Sequence, residues 1–92
     1  MKELTIKNKI LFTVERSPDG MFVAYNDELK LTGEGKSIAD LCEYLEESIR
    51  LLFTELWETK DLEVWLKANN IDYELTGEDS EEVKLYIDWG LK

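Results

Sequence analysis

The chain has 92 residues, 43% hydrophobic and 11% aromatic, and carries a formal charge of −10 from 21 acidic and 11 basic side chains. That apolar share can build a buried core, which disordered chains lack, and the length suits one domain spanning residues 1–92. The mean field repels phosphate backbones and anionic lipid headgroups, so a basic partner is the natural counterpart, although acidity of this kind also serves solubility alone and charge by itself decides little.

From Leu4 the even positions read Leu4, Ile6, Asn8, Ile10, Phe12 and Val14, and the odd ones Thr5, Lys7, Lys9, Leu11, Thr13 and Glu15. This period of two predicts one strand with one buried face. Ser17-Pro18-Asp19-Gly20 supplies the residues of a type I turn, with a glycine able to take positive φ. Met21 to Tyr25 follows as a second strand, with Phe22 and Ala24 on one face and Met21, Val23 and Tyr25 on the other.

Asn26-Asp27 is the next turn, and Leu29, Leu31 and Gly33 alternate with Lys30, Thr32 and Glu34 in a third strand. Gly33 and Gly35 loosen the chain ahead of Ser37, which reads as a helix N-cap with Asp40 at the third helical position. Ile38, Leu41, Cys42, Leu45, Ile49, Leu52, Phe53, Leu56 and Trp57 then mark an amphipathic helix of about five turns. Its outer face carries Asp40, Glu43, Glu46, Glu47, Glu55 and Glu58 against Arg50.

Lys60 to Ala68 predicts a second helical segment packing Leu62, Trp65 and Leu66, either continuing the first helix or kinked from it, and ended by Asn69-Asn70, which tolerate a left-handed conformation. Ile71, Tyr73 and Leu75 suit a short strand. The acidic stretch with Glu74, Glu78, Asp79, Glu81 and Glu82 reads as a solvated loop, and Val83, Leu85, Ile87 and Trp89 as a last strand. The fold class is α+β: an antiparallel three-stranded meander, a long helix, a shorter helical segment and a C-terminal strand, with the helices on one face of the sheet. The other sheet face then shows Met21, Val23 and Tyr25 beside Leu11 as an apolar strip, which either association with another chain or the later strand and loop folding over it would bury, association being the favoured reading.

No catalytic constellation emerges. Histidine is absent, and the lone cysteine, Cys42, sits at an apolar helical position as a buried thiol of a reducing compartment. Ser17, Ser37, Ser48 and Ser80 fall at a turn, a cap, mid-helix and a loop, none in a nucleophile elbow. Gly33-Glu34-Gly35-Lys36-Ser37 ends like a phosphate loop but lacks the spacing between its glycines, and Glu34 repels phosphate. Glu15, Asp27, Glu46 and Glu47 are the carboxylates that a two-metal nuclease would need, yet Glu15 closes its strand on the face away from the core. The expectation is therefore no enzyme, no metal and no cofactor. The N-terminus lacks the continuous apolar run of a signal peptide and no stretch reaches transmembrane length, so the expected setting is the cytoplasm.

The Pro18-Asp19-Gly20 turn, the strand Met21-Phe22-Val23-Ala24-Tyr25, the approach Gly35-Lys36-Ser37-Ile38-Ala39-Asp40-Leu41 and the long acidic helix resemble the HicB-like antitoxin domain over roughly the first two thirds of the chain. Lys36, Ala39 and Leu41 depart from the acidic, acidic and alanine residues of that pattern. The resemblance implies a truncated ribonuclease-H-like fold without nuclease carboxylates, assembly into homo-oligomers, and neutralisation of a small basic mRNA-cleaving partner, a HicA-like toxin. The chain ends in a strand with no basic recognition helix, which argues against direct DNA binding. The partner-binding residues expected on this reading are Met21, Val23, Tyr25, Asp27, Glu43, Glu46, Glu47 and Arg50. The alternative is a homo-oligomeric structural or regulatory module with the same fold and no toxin.

Overall fold

An unbroken strand from Leu4 to Val14 would turn the amide of Asn8 toward the core, and the chain avoids this by breaking at Lys7, Asn8 and Lys9. The computed structural model, which describes residues 1–92, is mixed α+β. It runs β1 (Lys2–Ile6), β2 (Ile10–Arg16), β3 (Phe22–Asn26), β4 (Leu31–Gly35), α1 (Ile38–Glu58), α2 (Leu62–Ala68), β5 (Tyr73–Gly77), β6 (Val83–Tyr86) and β7 (Trp89–Leu91). The expected C-terminal strand is likewise two, β6 and β7, interrupted at Ile87 and Asp88. No helix is long and apolar enough to cross a membrane.

The chain divides into two compact units: Ile10–Ile49 with Trp89–Lys92, and Met1–Lys9 with Arg50–Asp88. The first unit holds a four-stranded sheet in the order β4-β3-β2-β7. Its meander is antiparallel, with Thr13 opposite Tyr25, Val14 opposite Ala24, and Ala24 opposite Gly33. β7 joins parallel to β2, with Ile10 opposite Trp89 and Phe12 opposite Leu91. Parallel neighbours need a long crossover, which the segment from β4 to β7 provides.

The hairpin between β2 and β3 forms as its residues predict. Gly20 N–H donates to the Ser17 carbonyl at 2.9 Å, Gly20 takes φ +88°, and the Asp19 carboxylate accepts from the Ser17 hydroxyl and, at 3.4 Å, from Met21 N–H. Ser37 caps α1, its Oγ accepting from Asp40 N–H at 3.1 Å. Leu41, Leu45 and Ile49, four residues apart, are buried with Ile10, Phe12 and Ala24, and Phe12 meets the Trp89 ring edge-on at 6.0 Å.

Gly33 and Gly35 do not loosen the chain but lie buried inside β4. A Cβ on Gly33 would stand 2.8 Å from side-chain atoms of Leu45 and Tyr44, and one on Gly35 would stand 2.6 Å from the Leu41 backbone nitrogen. The two glycines therefore let α1 lie directly on β4, and their face of the sheet, shared with Ala24, Phe12 and Ile10, is the covered one.

In the second unit β1 is the middle strand of the order β5-β1-β6, antiparallel to β5 and parallel to β6. Leu4 and Ile6 face its core with Phe53, Leu62, Leu66, Ile71 and Leu85. Phe53 and Trp65 meet edge-on at 5.5 Å. Asn8, exposed at the break, uses its Oδ1 to accept Asp72 N–H at 2.7 Å, while Lys7 N–H donates to the Asp72 carbonyl.

Both helices end in the same way, with a left-handed residue and a paired set of returning hydrogen bonds. For α1 the residue is Lys60, φ +65°, with Lys60 N–H on the Trp57 carbonyl and Asp61 N–H on that of Leu56. For α2 it is Asn70, φ +56°, with Asn70 N–H on Lys67 and Ile71 N–H on Leu66. Leu66 and Ile71, the two positions that this motif brings together, are both buried.

Candidate functional site

In the four-stranded sheet the residues that alternate with the covered face are Leu11, Thr13 and Glu15 on β2, Val23 and Tyr25 on β3, and Thr32 and Glu34 on β4. Glu15 stands opposite Val23 and Val23 opposite Glu34. Only Leu11 among the apolar ones is exposed, at 39%, while Val23 and Tyr25 are half-buried, and Met21 precedes β3 as a half-buried turn residue. The expected apolar strip is thus short and flanked by carboxylates. Tyr25 Oη reaches Glu15 Oε1 at 3.4 Å, and the Glu15 charge, followed by burial, holds the Tyr25 hydroxyl above the ordinary phenol pKa.

α1 lies on the opposite side of that sheet. Asp40, Glu43, Tyr44 and Glu47 point outward from its first half and are exposed, and Tyr44, resting on Gly33, still shows 50% of its surface. Asp27 is exposed in the turn after β3. Glu46 departs from the expected outer face: it is half-buried and accepts a hydrogen bond from the Trp89 indole. One residue beyond buried Leu45, position 46 sits on the flank of the helix turned toward β7. Arg50 belongs to the other unit, where its guanidinium reaches toward the Leu85 carbonyl at 3.4 Å. The expected residues therefore fall on separate surfaces: Met21, Val23 and Tyr25 with the sheet, Glu43 and Glu47 on the helix across it, and Glu46 as a structural acceptor.

Glu15, Asp27, Glu46 and Glu47 do not converge, and no group of three or more carboxylates or thiolates is placed to share a metal ion. Cys42, expected as a buried thiol, is only half-buried, since it lies beside rather than on the Leu41–Leu45–Ile49 stripe of α1, and its thiol is free.

The second unit contains a cleft that sequence reasoning did not find. It has a volume of about 510 Å³ and lies where α1 ends and α2 begins, lined by Trp57, Glu58, Lys60, Leu62 and Glu63 together with Ser80 and Glu81. The Trp57 indole N–H donates to the Glu81 carbonyl at 2.9 Å, and Tyr73 Oη lies 2.8 Å from Glu63 Oε1. Burial first, then the Glu63 carboxylate, raises the Tyr73 pKa above that of a free phenol. The signal available in the sequence was a tryptophan closing the apolar stripe between two acidic stretches. What hid the cleft was the unheralded helix end at Lys60.

Compared with known family models, curated proteins and solved structures, the chain has no match.

Proposed function

We propose that the protein is a cytoplasmic binding module that takes a basic protein partner on the outer face of α1, acting as an antitoxin-like neutraliser of a small basic mRNA-cleaving toxin rather than as an enzyme. The observation that carries this reading is the exposed carboxylate row Asp40, Glu43 and Glu47 around Tyr44. The carboxylates supply charge-assisted acceptors, and the half-exposed tyrosine supplies an aromatic anchor with a polar tip. A protein that cleaves RNA has to present cations to hold phosphate, and those cations meet this face with complementary potential, which raises association rate and fixes register. The meander, capped helix and Pro18-Asp19-Gly20 turn on which the HicB-like resemblance rests are consistent with this reading.

Self-association through the sheet's second face is the competing reading, favoured by exposed Leu11 beside half-buried Val23 and Tyr25. Glu15 and Glu34 flank that strip, so two copies would bring like charges together, which weighs against it.

The deciding experiment mixes the protein with the basic product of an adjacent reading frame and follows association by stopped flow across a salt series. The expected result is a rate that falls as salt rises, with Asp40→Asn/Glu43→Gln/Glu47→Gln slowing association about tenfold at low salt. Complete loss of binding in Val23→Ser/Tyr25→Ser, with the helix variant unaffected, would transfer the site to the sheet. Absence of any basic partner, with a stable dimer in light scattering, would replace the proposal by the self-association reading.

A further inference from the structure

The cleft at the junction of α1 and α2 combines an aromatic wall, an apolar floor and carboxylates. Its volume of about 510 Å³ lies in the range of clefts that admit small ligands or single side chains, roughly 300 to 1,000 Å³. Trp57 is half-buried and held in place, because its indole N–H is committed to the Glu81 carbonyl. Leu62 is buried beneath.

The donor and acceptor inventory then selects the ligand. The indole has no donor left to offer. Glu58, Glu63 and Glu81 carry carboxylates, which only accept, and Glu63 already receives the Tyr73 hydroxyl; Ser80 accepts from Glu82 N–H, so its own O–H is the one neutral side-chain donor left in the lining. The one cation of the lining, Lys60, leaves an excess of negative charge. An anion is repelled, and a neutral donor forgoes the charge. A lysine or arginine side chain suits this lining best: its methylene stem lies along the indole, and its cationic head meets the carboxylates near an aromatic ring.

We propose that this cleft is the socket for a lysine or arginine side chain of the basic protein partner. The origin of that side chain rests on the proposed function, whereas the preference of the cleft for a cation does not.

The test uses the full chain with nitrogen-15 label, whose three tryptophans give separate indole N–H signals for Trp57, Trp65 and Trp89. Titration at low salt with a hexalysine peptide should move the Trp57 signal saturably and leave Trp65 and Trp89 nearly still. A hexaglutamine peptide should move none. Glu58→Gln/Glu63→Gln/Glu81→Gln should weaken the apparent affinity about tenfold, whereas Asp40→Asn/Glu43→Gln/Glu47→Gln should weaken it no more than about twofold through the general field. Because the triple cleft variant could disturb the helix junction, Glu81→Lys alone is a second probe, expected to abolish the Trp57 shift with an unchanged circular dichroism spectrum.

Equal movement of all three indoles, or no loss in either cleft variant, overturns the socket. Spermidine that saturates the Trp57 shift at lower concentration than the peptide overturns the protein origin of the cation. If the peptide leaves Trp57 unmoved while a basic partner still binds in a salt-dependent way, the socket fails and the proposed function stands. If Trp57 responds but no basic partner is found, the reverse holds.

Discussion

The indole N–H of Trp89 donates to a carboxylate oxygen of Glu46, tying strand β7 to the flank of helix α1. Trp89 also meets Phe12 edge-on, so the bond helps orient a ring that forms part of the core of its unit. Removing the acceptor leaves a half-buried donor without a partner, and Glu46→Ala is expected to cost about 1 to 2 kcal/mol. Glu46→Gln keeps an acceptor oxygen and should cost less, while Glu43→Ala, on the exposed face, should stay within about 0.5 kcal/mol of the parent. Urea unfolding of the three variants checks the order. A Glu46→Ala protein as stable as Glu43→Ala would return Glu46 to the surface.

The left-handed residue that ends α1 is Lys60, not glycine. A side chain in that conformation costs roughly 1 to 2 kcal/mol, part of which glycine gives back through its greater freedom in the unfolded chain. Lys60→Gly should therefore stabilise the protein by about 0.5 to 1 kcal/mol. Asn70→Gly should gain less, since asparagine tolerates the region better. Thermal unfolding measures both, and a lower midpoint for Lys60→Gly would mean that the helix end is held by something other than backbone geometry.

The elements legible in the sequence were those whose signal is local. Ser17 to Gly20 spells out its turn through a proline, an acceptor and a glycine in sequence, Ser37 caps the helix it precedes, and the spacing of Leu41, Leu45, Ile49 and Phe53 draws the buried stripe of α1. The breaks were harder. Asn8 interrupts the apolar face of an apparent single strand, but only its long-range bond to Asp72 shows how the interruption is used. The helix end at Lys60 has no glycine to announce it, although Asn70 marked the end of α2. For the candidate site, composition indicated the negative surface, and helical spacing indicated that Glu43 and Glu47 are exposed. Which side of the sheet each residue occupies, and the turning of Glu46 toward Trp89, depend on pairing between distant strands, and no local pattern encodes that.

Close approach of α1 to β4 rests on two positions without a side chain. Gly35→Ala would push a methyl group to 2.6 Å from the Leu41 backbone nitrogen, and backbone cannot rotate aside. The expected loss is about 3 kcal/mol, at the upper end of the usual cost of overpacking. Gly33→Ala meets side-chain atoms of Leu45 and Tyr44, which can shift, so about 1 to 2 kcal/mol is expected. Denaturant midpoints decide between them. An equal, small effect at both positions would mean that the helix lies farther from the strand than a 2.6 Å approach to the Leu41 nitrogen requires.

Acid should loosen the hairpin turn before the rest of the meander. Asp19 has a pKa below the ordinary value of 3.8, chiefly because the Ser17 hydroxyl and then the Met21 N–H donate to its ionised form. With the folded pKa lower than the unfolded one, the sign is fixed: the stabilisation is complete above the unfolded value and disappears as pH falls through the folded value. Proton titration of the Asp19 carboxyl carbon by NMR should show the depressed midpoint, with the Gly20 amide shift changing in parallel. Ser17→Ala removes the first donor and should move the midpoint back toward 3.8, since the smaller contribution from Met21 remains. A midpoint that stays in place after Ser17→Ala would assign the depression to the backbone alone, and the serine would then matter only as a turn former.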